Sequence, residues 1–300
     1  MIDIPEKPFD VIGLNMDDFE TAIGKLVNWG FIQESRLCNR CHYIMTLAYG
    51  NCFDDHVYYR CRNIECQKKC SIKFGTIYER SKLKIIEIAS LFAIWCGNMS
   101  IRTATMFSIL SDSSISYHFQ LFREFALKIF FHDLNKNPLG GDRMKVQVDE
   151  SLFGKAKYHI GKNLAEPQYW VFEIVDDASG RVFMQHVKNR KSETLIPIIF
   201  DKVKTGSAII SDQWKPYNKI PFPEYFHFTV NHSKNFVDPL TNEHTQKAES
   251  YWNAAKDDLT RKHIRDRSQY ESYIQEWCFR KNLARDFQSC WKVMLTYDFS

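Results

Sequence analysis

The chain has 300 residues, of which 44% are hydrophobic and 25% charged. That is the balance of an ordinary soluble globular protein and excludes disordered, collagen-like and low-complexity classes. The most apolar run, Ile85 to Cys96, is about twelve residues long and interrupted by Glu87, whereas a bilayer span needs roughly twenty apolar residues. No transmembrane helix and no membrane partner is expected. The acidic start MIDIPEKPFD lacks a basic region followed by an apolar core, so an intracellular protein is expected.

The net charge of +4 is a sum of unlike parts. Residues 60–84 carry 8 basic and 2 acidic groups, residues 1–59 carry 4 and 9, and residues 142–258 carry 16 of each. Concentrated basic charge is what a polyanion partner requires. Nine cysteines without an export signal point to metal ligation rather than to disulfides.

Residues 1–36 form a helical leader. A flexible tail precedes an amphipathic helix within Met16–Phe31, where Phe19, Ile23, Leu26 and Val27 recur at helical spacing. Residues 37–81 have the composition of a small metal-stapled ribbon, with strand-like pieces at His56–Tyr59 and Ser71–Phe74. Cys38 and Cys41 make a CxxC knuckle, and Cys61 and Cys66 follow after nineteen residues. Two such pairs supply the four tetrahedral ligands of a structural Zn2+. Cys70 competes for the fourth place; Cys66 is preferred because Cys70 begins the strand-like Ser-Ile-Lys-Phe. Arg60, Arg62, Lys68 and Lys69 lie in this ribbon as candidate DNA contacts, followed by Lys73, Arg80, Lys82 and Lys84.

Residues 82–134 are helical in pattern, broken at Gly97-Asn98 and at Ser111 to Ser114. Ile101–Leu110, a polar turn and Ile115–Phe125 have the length of a helix-turn-helix, with Ser113 or Ser114 as the cap of its second helix. Ser116, Tyr117, His118 and Gln120 would be exposed to DNA; Phe119, Phe122 and Phe125 would point inward. Asn135 to Gly141, with one Pro and two Gly, is a linker.

The grammar then changes. Lys145–Val148, Tyr169–Val175, Val182–Val187, Ala208–Ser211 and Tyr225–Val230 are strand candidates, with a turn at Asp176 to Gly180. Ser192–Val203, Thr245–His263 and Gln269–Lys281 are helical, so residues 142–285 make an α/β domain, and residues 286–300 are left as a C-terminal tail. Asp149 and Asp212 end apolar strands, and Glu249 lies in the first turns of a helix. Three such carboxylates form an oxygen pocket for hard divalent cations. Two Mg2+ or Mn2+ ions there serve in-line phosphoryl displacement, which needs no protein nucleophile. Lys256 shares the helix face of Glu249, within reach of a phosphate.

The stretches YRCRNIECQKKCSIKFGTIYERSKL, VQVDESLFGKAKYH, IISDQWKPYN, HFTVNHSKNFVDP and HTQKAESYWNAAK resemble DDE transposases of the Merlin superfamily and the related bacterial insertion-sequence transposases. The resemblance covers most of residues 38–285; residues 1–37 lie outside it, and Cys70 falls where a non-ligand residue is usual. It implies an RNase H-like mixed sheet with Asp149, Asp212 and Glu249 as the metal-binding triad, thirty-six residues separating the last two. The implied reaction is hydrolysis at transposon ends to expose a 3′-hydroxyl, then attack of that hydroxyl on target DNA. The implied partners are double-stranded DNA, as terminal inverted repeats and target, and further copies of the chain on paired ends. The nucleus is expected if the host is a eukaryote. Glu150 has no assigned role, and His227, Asn231, His232 and His244 have open ones. Two alternatives are a domesticated DNA-binding protein that no longer transposes and, last, an RNase H-type nuclease, which leaves the ribbon and helical reader unexplained.

Overall fold

The computed structural model describes residues 3–153, 168–230, 246–264 and 266–299. The chain divides into two compact units, one made of Met1–Phe125 with Ala284–Ser300 and the other of Ala126–Leu283.

In the first unit, short helices α1 (Pro8–Ile12) and α2 (Phe19–Asn28) precede four strands, β1 (Ser35–Leu37), β2 (Ile44–Tyr49), β3 (Val57–Cys61) and β4 (Lys69–Ser71). The strands pair antiparallel in chain order. Helices α3 (Ile85–Cys96) and α4 (Ile101–Met106) follow, then α5 (Asp112–Lys136), within which the division between units falls. Asp18 caps α2 by accepting from the Thr21 N–H at 3.0 Å, and Ala22, Ile23 and Leu26 are buried, the face the periodicity predicts. The apolar run of α3 is a core helix: α1, α2 and a last helix α9 (Phe287–Thr296) all pack on it.

Both ends of the chain differ from expectation. Residues before α2 are not a loose tail, since Val11 is fully buried and α1 lies against α3. Residues 286–300 are not a tail either. Asp286 caps α9 through the Ser289 N–H at 2.8 Å, and Trp291, 0% exposed, meets the rings of Trp29, Phe31, Phe92 and Phe287 at 5.0–6.5 Å between centroids. Its indole N–H donates to the Trp29 carbonyl at 3.0 Å, which satisfies the one polar atom such a ring must bury.

The second unit contains the rest of α5, strands β5 (Lys145–Phe153), β6 (Tyr169–Asp176) and β7 (Val182–Val187), helix α6 (Ser192–Lys202), strands β8 (Ala208–Asp212) and β9 (Phe226–Val230), and helices α7 (Gln246–Arg261) and α8 (Tyr270–Leu283). The sheet order is β7-β6-β5-β8-β9. Pairing is antiparallel from β5 to β7 and parallel from β5 through β8 to β9. That mixed order, with α7 on β5 and β6 and α8 on β7, is the RNase H-like arrangement the resemblance implies. The Asn135–Gly141 segment is a pinned turn rather than a free linker. Leu139 is fully buried and bridges Val203. Gly140 has φ +73°, and a Cβ there would sit 2.4 Å from Ser207 Oγ, so glycine is required by both conformation and space. Among the described residues no helix is long and apolar enough to cross a membrane.

Trp291→Ala would empty a fully buried indole site and is expected to destabilise the chain by about 3–5 kcal/mol, read as a fall in the urea midpoint; a loss below about 0.5 kcal/mol, the surface range, would contradict the packing role given to α9.

Candidate active site and zinc site

The site is built on the pleat of β5. Gln147, Asp149, Ser151 and Phe153 alternate onto the face that α7 covers, and Val146, Val148 and Glu150 onto the other. Gln147 Oε1 accepts from the Ala248 N–H at 3.3 Å, Asp149 Oδ2 from Trp252 Nε1 at 3.1 Å, and Ser151 Oγ from Lys256 Nζ at 2.7 Å. The partners step by two along the strand, roughly 6.6 Å, and by four along the helix, roughly 6 Å. The two repeats nearly match, so a helix laid along this strand keeps contact for three successive steps. Trp252 also meets Phe153 edge-on at 5.7 Å.

Sequence reading ends the first strand at Val148, but β5 continues to Phe153 through its pairing with β6. What stops is the pairing with β8, which runs from Lys145↔Ala208 to Gln147↔Ile210. Carried on, that register sets Asp149 level with Asp212, just where β5 and β8 part. The two carboxylates thus belong to adjacent parallel strands, level at the point where the pairing of those strands ends. Asp149 Oδ1 accepts from the Glu150 N–H at 2.8 Å and Asp212 Oδ1 from the Trp214 N–H at 3.0 Å. Glu249, exposed, lies three residues before Trp252 on α7, the helical spacing that makes side chains neighbours. The ligand oxygens of the three acids do not all lie within 4.8 Å of one another. Among the described residues only Cys38, Cys41, Cys61 and Cys66 form a group of three or more metal-ligating side chains with all ligand atoms within 4.8 Å.

Glu173, absent from the sequence reading, stands opposite Asp149 on β6. It is 0% exposed, and among the described residues neither carboxylate oxygen has a hydrogen-bond partner. Burial pushes it well above the carboxylate range; the Asp149 charge adds to this and Lys256 opposes it. An unsatisfied buried acid beside Asp149 and an all-oxygen set in Asp149, Asp212 and Glu249 fit a hard divalent cation in donor type and in charge. A signal existed: Glu in an otherwise apolar strand, Trp170 to Val175.

On the far face, Glu150 is buried and ion-paired with Arg190, Nη2 at 2.7 Å and Nε at 3.1 Å, and it accepts a short hydrogen bond from the Tyr217 hydroxyl. Burial pushes Glu150 up, and the hydrogen bonds of Tyr217 and Arg190 hold it back. The Arg190 guanidinium lies over both the Trp170 and Trp214 rings at 4.6 Å. His227 is bonded to Ser211 Oγ at 2.8 Å, and burial depresses its pKa. Asn231, His232 and His244 lie outside the described residues. Lys256, directed at Ser151 and over the Phe153 ring at 5.1 Å, is a neighbour of the sheet face.

In the ribbon, Cys41 and Cys61 sulfurs are 3.4 Å apart and Cys38 and Cys66 sulfurs 3.8 Å. Cys70 instead points to Met45 Sδ at 3.9 Å, which selects Cys66 as the fourth thiol. The N–H groups of Arg40 and Cys41 hold the Cys38 thiol down to about 6, whereas burial pushes Cys61 up to about 12, so the metal's charge would be needed to make all four thiolates. Arg60 and Lys69 are exposed and face each other across β3 and β4, with Arg62 exposed and Lys68 half-buried beside them. Lys73, by contrast, is buried in an ion pair with Asp55 at 3.1 Å.

The second helix of the expected reader begins at Asp112, and the Ser111 hydroxyl, not Ser113 or Ser114, caps it by accepting from the Ser114 N–H at 3.3 Å. Tyr117 and Gln120 are exposed as expected; His118 is not. It is 3% exposed and bonded to Ser81 Oγ and to the Ser114 carbonyl, both at 2.8 Å. The buried stripe of α5 runs through Ile115, His118, Phe119 and Phe122, and His118 falls on it by the i, i+3 rule.

The family profile described as ISXO2-like transposase domain matches residues 138–282. An "Uncharacterized transposase-like protein" of Haemophilus influenzae is 31% identical over 102 residues, which are 34% of this chain and 81% of that protein. The chain belongs to the ISXO2-like transposase family. Among solved structures, the HTLV-2 integrase catalytic core domain in complex with magnesium is 14% identical, with a TM-score of 0.28, over 45% of this chain and 83% of that one. A chain of the simian T-cell lymphotropic virus intasome with PP2A regulatory subunit B56 gamma is 13% identical, with a TM-score of 0.30, over 62% and 66%. The fold assignment therefore rests on the strand order and directions. Membership makes this a transposase-type, nucleic-acid-processing protein, and the family boundary at residue 138 agrees with the pinned turn before β5.

Two outcomes are expected. Cys66→Ser should lose stoichiometric zinc while Cys70→Ser keeps it, measured by metal analysis of the purified variants; the reverse would move the fourth ligand to Cys70. Glu150→Gln leaves Arg190 without its counter-charge and should destabilise by about 2–3 kcal/mol, the buried-pair cost reduced because the Arg190 side chain is 25% exposed; an unchanged thermal midpoint would remove Glu150 from the support of β5.

Proposed function

We propose that the chain is a DDE-type transposase that cleaves at the ends of its element and joins the freed 3′-hydroxyl to target DNA. The observation that carries the reading is the register of β5 and β8, which carried on sets Asp149 and Asp212 level where the strands separate, with Glu249 in the first turn of α7, the helix whose Trp252 bonds Asp149. Asp149, Asp212 and Glu249 would hold Mg2+ or Mn2+. Bound there, the ions supply charge stabilisation to the phosphoryl transition state and lower the pKa of the attacking hydroxyl or water.

The chain's own residues orient the acids. Trp252 holds Asp149 through its indole N–H, and the Trp214 backbone N–H holds Asp212. Glu150, Arg190 and Tyr217 brace the opposite face. In the first step water attacks phosphorus and the P–O3′ bond breaks, leaving a 3′-hydroxyl and a 5′-phosphate. In the second, that hydroxyl attacks a target phosphodiester, one P–O3′ bond forming as another breaks. No side-chain nucleophile takes part.

DNA binding begins on the ribbon, where Zn2+ on Cys38, Cys41, Cys61 and Cys66 would substitute for a core. Arg60 and Lys69 are like charges set opposite each other, an arrangement that costs stability in isolation and that a phosphate backbone relieves. Arg62, Lys68, Tyr117 and Gln120 complete the proposed contacts; His118, buried, is withdrawn from them. Action on paired ends by more than one copy is part of the proposal.

The test is cleavage of labelled DNA carrying the inverted repeats that flank the element, with Mg2+ or Mn2+. Asp149→Asn and Asp212→Asn should each cut the rate about a thousand-fold, the equivalent of several kcal/mol of lost transition-state stabilisation, while DNA binding persists. Full cleavage by either variant would sink the site assignment, and specific binding with no cleavage by the native chain would favour the domesticated alternative.

A further inference from the structure

Trp214 is a large aromatic residue left 42% exposed two positions beyond Asp212, to whose carboxylate its backbone N–H is bonded at 3.0 Å. Its ring is nevertheless held tightly. The indole N–H donates to the Arg190 carbonyl at 3.2 Å, and the Arg190 guanidinium lies over the ring at 4.6 Å. That guanidinium is itself fixed by the Trp170 ring at 4.6 Å and by buried Glu150 at 2.7 Å. The edge and one face of the indole are therefore occupied, and what remains open is flat, apolar and immobile.

Such an arrangement contributes little to folding. The open part of the ring buries nothing, while the device that steadies it places a charged pair largely out of water, which is weak as a source of stability. A preorganised aromatic surface lowers the cost of binding something flat. Beside acids that act on a phosphodiester, the flat group at hand is a nucleobase. A paired base inside the helix hides both faces in the stack; an unpaired base offers one to a protein ring.

We infer that Trp214 is a stacking platform for an unpaired nucleobase of the DNA strand whose phosphodiester lies at Asp149 and Asp212. The inference rests on the transposase reading of that site and adds to it a requirement for a locally opened DNA end. Arg190 acts as a positioning residue, holding the ring rather than touching DNA.

The test uses the full chain carrying Asp149→Asn, so that DNA is bound without being cut, and two duplexes with 2-aminopurine beside the scissile phosphodiester and inside the duplex, that base unpaired in one and paired in the other. Emission of the unpaired probe should fall on binding, and that of the paired probe should change little. Adding Trp214→Ala should abolish the fall and weaken binding of the duplex with the unpaired base roughly ten-fold, with binding of the paired duplex nearly unchanged. Trp214→Phe, which keeps a ring, should retain most of the quenching and affinity and so separates lost stacking from misfolding. Equal quenching of both probes, or quenching and affinity unaffected by Trp214→Ala, would overturn the platform alone, since the native chain would still bind and cleave. Failure of the native chain to bind DNA would overturn the platform and the transposase reading together.

Discussion

The near match between two repeats, every second residue of β5 and every fourth residue of α7, is the constraint on which the site depends. Gln147, Asp149 and Ser151 each find a donor at 248, 252 and 256 because the strand advances about as far in two residues as the helix does in four. Without that match α7 would cross the sheet at one point of contact. With it, the helix is fixed in rotation as well as position, and Glu249 is held near the strand that carries Asp149. The acids need not attract one another, which carboxylates cannot do. They are placed by polar contacts made by their neighbours.

The other face of β5 uses a different device. Glu150, one residue from Asp149, is anchored by Arg190 and Tyr217, so consecutive acidic residues serve opposite sides of the sheet. One is kept where β5 and β8 part and the other is buried to hold the strand. Glu173 adds the contrast of an acid buried, among the described residues, without a hydrogen-bond partner, on the sheet face it shares with Asp149.

Much of this was legible in the sequence, and the reasons it was or was not are physical. The strands of the second unit are apolar runs separated by polar turns, and their boundaries fall within one residue of those expected except that β5 runs on to Phe153 along β6. The cysteine spacing gave the four thiols, and the contact of Cys70 with Met45 is a matter of strand direction that spacing does not encode. His118 was misplaced because polar residues are taken as exposed, whereas its two hydrogen bonds let it occupy the core stripe of α5. The helix α9 went unread because its burial rests on Trp291, a single aromatic anchor whose partners at 29, 31 and 92 are remote in sequence. The register that levels Asp149 with Asp212 is likewise a pairing between distant strands, visible only once the sheet is formed.

The first unit is discontinuous in sequence: its last helix is made after the whole of the second unit. During synthesis the ribbon and the helices that follow it emerge first, yet the indole that closes their core arrives only after the second unit has been made. The half of the molecule with the concentrated basic charge therefore completes its packing only after the half that bears the acids has been translated. Domains usually fold in the order in which they are made; here the order of completion is reversed. A chain interrupted within the second unit would leave the first without its closing indole, so the ribbon and its helices would be made without a complete core.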